Sequence, residues 1–276
     1  MIKRDWLVGI GLLSSGLGAA LGTQAALAQS TAIGAVAAVN PQAEGQAPGG
    51  AGQTLMIGAS LVQDERITTD ADGLVDVMFA DQSSLTIGAG SEVVLDKFVY
   101  DPASQTGELA INISQGALRF IGGRISKTSA VEIHGPTATM AIRGGIGLFY
   151  FPRGGDGYAV FVYGRELKII GIDGIERLIT RPGFAIRFPA DGGPPSEPFR
   201  LTAQQLEEIR KALEGRNTGQ AGGLPPGQLG PIIRIGSGEL PDRGIDDLPI
   251  DDLGFDNLEV LDSLNRFVVI DTVQVS

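Results

Sequence analysis

Between Thr54 and Pro189 the chain repeats one pattern: a few residues that alternate apolar and polar, then a cluster of Gly, Asp, Pro or Ser. Leu74-Val75-Asp76-Val77-Met78-Phe79 sets Val75, Val77 and Phe79 on one side of an extended segment, the period-two signature of a half-buried strand. The same reading holds for residues 85–87, 93–100, 109–113, 118–121, 131–133, 139–142, 147–150, 160–162, 167–170 and 184–188. Asp72-Gly73, Gly88-Ala89-Gly90, Asp101-Pro102, Gly122-Gly123, Gly154-Gly155 and Asp173-Gly174 supply turns between them. No amphipathic run of helical length interrupts the series. Residues 54–190 are therefore expected to form one all-β domain of many short strands, as a β-sandwich or a β-solenoid-like stack.

Composition narrows the chemistry. Glycine numbers 41 of 276, about 15% and twice ordinary usage, which suits tight turns between short strands. Cysteine is absent, so thiol nucleophiles, disulfides and Cys-based metal sites are excluded. His134 is the only histidine, which excludes multi-histidine metal sites, and no Gly-x-Ser-x-Gly elbow accompanies it. No catalytic residue, cofactor or metal site is expected. The formal charge of -11 repels phosphate backbones, so nucleic acid is not an expected partner.

The two ends carry different signals. Lys3 and Arg4 precede an apolar, glycine-rich run, and Ala26-Leu27-Ala28 gives a small-x-small cleavage pattern with Gln29 as first mature residue. Residues 1–28 read as a signal peptide, with an uncleaved anchor as the rival reading, and residues 29–53 as a flexible N-terminal segment. Export to the periplasm or the medium follows, with no stable membrane span after cleavage. Residues 191–200 read as a Pro/Gly linker. In the helix expected over 201–215, Thr202 and Gln205 form a capping box, and Leu201 pairs with Leu206 as a staple. Leu206, Ile209 and Leu213 make its apolar stripe, Glu207 and Lys211 an i,i+4 pair, and Gly215 its stop. Residues 216–276 form a Gly/Pro/Asp-rich irregular acidic tail. It contains the five-residue repeat Ile245-Asp246-Asp247-Leu248-Pro249, Ile250-Asp251-Asp252-Leu253-Gly254 and Phe255-Asp256-Asn257-Leu258-Glu259, and ends in a strand-like stretch from Phe267.

Gly58, Leu61, Ile67 and Thr69 open an ordered set of matches that continues through residues 75–87, Ser91-Glu92-Val93-Val94-Leu95 and Gly116-Ala117-Leu118-Arg119-Phe120. It closes on Pro136 through Ile142-Arg143-Gly144-Gly145. On these residues the chain resembles the FecR-like domain of bacterial extracytoplasmic proteins, departing from the family ending at Gly135 and Gly145. The resemblance implies a β-domain outside the cytoplasm that recognises a protein or an envelope ligand. The family's namesake also carries a cytoplasmic anti-sigma segment ahead of its membrane helix. Only Met1–Asp5 precedes the apolar run here, so that activity is not expected.

Arg143, freed on one side by Gly144 and Gly145, suits either a fork onto a ligand carboxylate or an internal pair with an Asp or Glu. Tyr150, Tyr158 and Tyr163 lie among Phe149, Phe151 and Phe161, as core layers or as a contact patch. His134 reads as a hydrogen-bonded strand end, and Asp70-x-Asp72-Gly73 as a hairpin turn lacking the later ligands of a calcium loop. Asp64-Glu65 and Asp251-Asp252 pair carboxylates, but nothing in the sequence raises one acid's pKa over its neighbour's. The expected function is a non-catalytic protein-binding, scaffold or signalling module of the cell envelope, with an envelope or secreted protein as partner. A small-molecule or carbohydrate sensor is the alternative, and a carboxylate hydrolase ranks last.

Overall fold

The computed structural model describes residues 31–40 and 42–214. The cleavage residues Ala26, Ala28 and Gln29, the helix stop Gly215, Asp251-Asp252 and the whole acidic tail with its strand-like end lie outside the described residues. The strands, in chain order, are β1 (Ala32–Asn40), β2 (Ala43–Gln46), β3 (Gln53–Thr54), β4 (Ser60–Val62), β5 (Glu65–Thr69), β6 (Leu74–Phe79) and β7 (Ser84–Ile87). After them come β8 (Glu92–Asp101), β9 (Thr106–Ile121), helix α1 (Arg124–Thr128), β10 (Val131–His134), β11 (Ala138–Phe151), β12 (Gly157–Gly171), β13 (Glu176–Ile179), β14 (Phe184–Phe188) and helix α2 (Ala203–Glu214). The protein is mostly β, as the alternation dictates.

All fourteen strands belong to one hydrogen-bonded sheet, and three long strands decide its shape. The first part of β9 pairs with β8 and, in parallel, with β10; its last part pairs with β7 and β11. The first part of β11 pairs with β10 and its last part with β9. β12 pairs with β14 before its middle and with β13 after it. The sheet thus folds over on itself into two layers. One runs β4-β1-β6-β7-β9-β11-β12-β14, and the other β3-β2-β5-β8-β9-β10-β11-β12-β13.

Glycines make the bend. Gly116 in β9, Gly144 and Gly145 in β11 and Gly164 in β12 all have positive φ (104°, 57°, 126° and 137°). Gly145 and Gly164 face each other across the ladder, and a Cβ on either would collide with a backbone oxygen of the other strand. Each of the pairs 109–113 and 118–121, 139–142 and 147–150, and 160–162 and 167–170 therefore lies on one continuous bent strand instead of two short ones.

The layers enclose one core. Val75, Val77, Phe79, Phe120, Phe149 and Phe161 enter it from the first layer; Ile67, Val93, Ile111, Ile133, Met140 and Ile169 enter from the second. Phe79 stacks on Phe98 across it at 5.6 Å. Burying side chains of this size stabilises the fold by roughly 1.5–3 kcal/mol each.

Two expectations need correction. The segment 29–53, expected to be flexible, supplies β1, which pairs with both β4 and β6, and β2, which pairs with β3 and β5. Its Ala, Gly and Val residues are small enough to lie between neighbouring strands without showing a strong alternation, and the register shifts twice along β1. The β-domain also contains one helical turn. In α1 the Arg124 N–H donates to the Asp81 carbonyl (2.9 Å) and the Ile125 N–H to the Asp81 carboxylate (3.1 Å), so a buried Asp satisfies the helix start.

Candidate functional site

The outer face of the first layer carries Ala117, Leu148, Val160 and Ala185, the residues left over by the alternation that sends their neighbours inward. Helix α2 lies on them. Thr202 Oγ1 accepts from the Gln205 N–H (3.3 Å), and the Gln205 side chain accepts from the Thr202 N–H (2.9 Å), which closes the capping box. Ile209 and Leu213 pack into the patch with Leu201 beside them, and Leu206 is buried on the same stripe. At the far end the Ala212 carbonyl accepts from the Ala89 N–H (2.7 Å). Arg210 bridges Glu207 and Glu214 on the solvent side, with Lys211 at 3.8 Å from Glu207.

Tyr150 and Tyr158 stand opposite each other on this covered face. The Tyr158 hydroxyl accepts from Gln205 Nε2 (3.2 Å), and its ring meets Phe199 edge-on. Burial, reinforced by Glu208, pushes the Tyr150 phenol up from its ordinary pKa. Both serve helix docking. Tyr163 is 48% exposed and stands apart from them, at the bend of β12. Phe149, Phe151 and Phe161 point into the core.

Arg143 lies on β11 beside the bend, opposite Glu166. Its Nη2 donates to the Thr128 carbonyl at the end of α1 (3.2 Å), so a backbone oxygen takes the place of the expected carboxylate partner. The structure does not bring Arg143 together with Tyr150 and Tyr158 around one cavity. His134 ends β10, with Nδ1 3.3 Å from Thr139 Oγ1 and Nε2 3.3 Å from Glu132. Asp70 and Gly73 close a turn through a 2.9 Å backbone hydrogen bond.

Asp64 and Glu65 part company. Asp64 sits in a turn with φ 62°, whereas Glu65 turns inward and accepts from the Val62 N–H (2.9 Å). Desolvation raises the Glu65 pKa against the opposing pull of that hydrogen bond. Asp64 is exposed on the turn and Glu65 is buried, so the two carboxyls meet different surroundings.

Two buried polar clusters carry no signature in the sequence pattern. Arg119 donates to Thr86 Oγ1 (3.0 Å), whose hydroxyl donates to Asp76 (2.6 Å), a ladder across three strands. Thr69 and Ser91 tie the Gly88 carbonyl to the backbone at Ala117. The first lies on the outer face of the first layer, because Val75, Val77, Leu85, Ile87, Leu118 and Phe120 take the core side. A cleft of about 840 Å³ opens between α2 and the β11–β12 hairpin, with Asp70, Tyr150, Arg153, Glu208 and Lys211 on its walls. Among the described residues no group of three or more metal-ligating side chains converges.

The FecR protein family matches residues 65–160. Over those residues the chain is similar to FecR proteins. Two crystal structures of a "putative anti-sigma factor" from Parabacteroides distasonis ATCC 8503 are similar. One shows 13% identity and a TM-score of 0.43, the other 12% and 0.41, each covering 51% of this chain and 62% of that one. No curated protein matches the chain.

The FecR match runs from Glu65 at the start of β5 to Val160 within β12. It takes in the bends of β9 and β11, but not β1–β4, the end of β12, β13, β14 or α2. Among the described residues no helix is long and apolar enough to cross a membrane.

Proposed function

We propose that the chain is an exported, non-catalytic FecR-domain protein of the bacterial envelope that binds a protein partner along the free edge of β13. The observation that carries this reading is the edge itself. Among the described residues β13 pairs with β12 alone. The Gly171 N–H donates to the Ile175 carbonyl (3.0 Å), so Ile175, Arg177 and Ile179 direct their backbone groups at β12. Glu176 and Leu178 then turn theirs outward. Leu178 is 51% exposed, with Ile172 and Ile175 exposed beside it. An unpaired edge with an apolar rim is a template for an added strand, which supplies affinity through the backbone and selectivity through alternate side chains.

A photo-crosslinker placed at Leu178 is expected to capture one partner in cell envelopes, and a crosslinker at Lys97 on the open sheet face is expected to capture none. Leu178→Asp should abolish retention of that partner on the tagged full chain while leaving Tm within about 2 °C. Equal capture from both positions, or retention unchanged by Leu178→Asp, rejects the edge. An intact mass that includes Met1–Ala28 in protein recovered from envelopes rejects the cleaved form.

A second reading, sensing of a small molecule or carbohydrate, draws on the cleft beside α2. Arg153 pairs with no carboxylate there among the described residues. A thermal-shift screen of envelope ligands distinguishes it, since an Arg153-dependent rise in Tm belongs to this reading alone.

A further inference from the structure

Apart from Arg119, Arg200 and Arg153, the last of which lies at the β11–β12 hairpin and holds no ion pair among the described residues, the Lys and Arg side chains of the described residues fall into two groups. Arg66, Lys97, Lys168, Arg177, Arg187, Arg210 and Lys211 all hold ion pairs. Arg124, Lys127, Arg143, Arg165 and Arg181 hold none among the described residues, and all five lie where the long strands bend. Arg124 and Lys127 sit on α1, whose last carbonyls meet Arg143. Arg165 follows Gly164, which faces Gly145. Arg181 belongs to the connection from β13 to β14 that passes the bend of β12, and its guanidinium stacks on Phe184 at 5.1 Å, where Arg200 stacks as well. Lys127, Arg165 and Arg181 are exposed. The carboxylates facing this corner are Glu166, opposite Arg143 without closing an ion pair, and Asp81, buried beneath α1 and engaged by Ser83 and Ile125.

A concentration of unpaired cations on a chain of net charge -11 calls for an anionic occupant. We propose that this basic corner is the docking site of the chain's own acidic segment, residues 245–259. That segment holds Asp246, Asp247, Asp251, Asp252, Asp256 and Glu259 and no Lys or Arg. The net negative charge of the protein disfavours a separate anionic partner, whereas a tethered segment meets the corner at an effective concentration set by its linker. The thirty residues 215–244 have a contour length of about 100 Å at ~3.3 Å per residue, about twice the length of β12.

The test uses the full chain and a carbodiimide, which joins a lysine amine to a carboxylate only at contact distance. Lys127 is the corner's one lysine; Lys97 and Lys168, on the open sheet face, are controls. Peptide mapping is expected to show Lys127 joined to carboxylates of residues 245–259 within one molecule. In Arg143→Gln/Arg165→Gln the yield should fall by roughly threefold to tenfold, the range that a few surface ion pairs command. The Lys97–Glu108 link, formed inside the β-domain, should persist and report that the variant is folded. Tail links to Lys127 no more frequent than to Lys97 or Lys168 overturn the proposal. So do links found only between differently isotope-labelled copies, which would make a second molecule the occupant.

Discussion

The two outer faces of the folded sheet show opposite ways of meeting water. On the first layer the alternation leaves Ala117, Leu148, Val160 and Ala185 outward, and helix α2 seals them with Ile209 and Leu213. On the second layer the outward residues are largely charged and pair along the surface: Arg66 with Glu92, Lys97 with Glu108, Glu132 with His134, Lys168 with Glu176. The same backbone serves both, because β9, β11 and β12 pass through each layer. Side chains therefore decide whether a face is packed or wetted. A packed face contributes stability through area removed from water; a wetted one contributes solubility and little else.

The bends that let one strand serve both layers are the point at which the contrast breaks hardest. Gly164→Val would drive a Cβ into the Gly144 carbonyl oxygen, at a φ of 137° that β-branched residues do not adopt. The expected loss exceeds about 4 kcal/mol, enough to abolish folding in a marginally stable domain, with chemical denaturation as the measurement. A normal denaturation curve for Gly164→Val would mean that the layers do not depend on this crossing.

Next in size is the sealed face. Ile209 is 1% exposed, and Ile209→Ala should cost about 2–4 kcal/mol and expose apolar surface to a reporter dye. Loss of α2 without loss of the β-core would show as two transitions. A single lowered transition would make helix and sandwich one cooperative unit.

The same contrast explains what the sequence revealed. Alternation along β6, β10 and β14 marks both faces at once, so strand identity was legible there. The capping box and stripe of α2 were equally plain, because both are local. The bends were not: a glycine between two alternating runs fits a turn as well as a kink, and only its partner across the ladder tells them apart. β1 escaped because its Ala and Gly residues carry too little contrast between faces. Tyr150, Tyr158 and Tyr163 read alike, since the helix that covers the first two begins about fifty residues later. Arg143 pointed to the bend, but not to the Thr128 carbonyl that holds it.

Acidity sharpens the comparison at smaller scale. Burial raises the Glu65 pKa, so between the unfolded value and the raised one the native state binds more protons than the unfolded chain. This group's contribution therefore falls as pH climbs through that window, and neutral pH carries the penalty. Gln keeps an acceptor for the Val62 N–H, so Glu65→Gln should raise Tm by about 1–2 °C at neutral pH and by nothing near pH 3, where both states of wild type are protonated. At the turn between β11 and β12 Asp156 behaves in the opposite sense. Arg187 and the Ala190 N–H hold its pKa low, so its contribution is lost as pH falls through that depressed value.

The smallest effect is expected on the wetted face. Arg66 pairs with Glu92 between β5 and β8, with both side chains a third to a half exposed. Water solvates each charge nearly as well as its partner does, and ordering two long side chains offsets most of the attraction. Arg66→Gln should therefore change stability by no more than about 0.5 kcal/mol, and the difference should vanish by about 1 M salt, where the screening length is roughly 3 Å. A loss above about 2 kcal/mol, insensitive to salt, would put Arg66 in a packed environment. The second layer would then be a covered face like the first, and the difference between the two sides of the molecule would disappear.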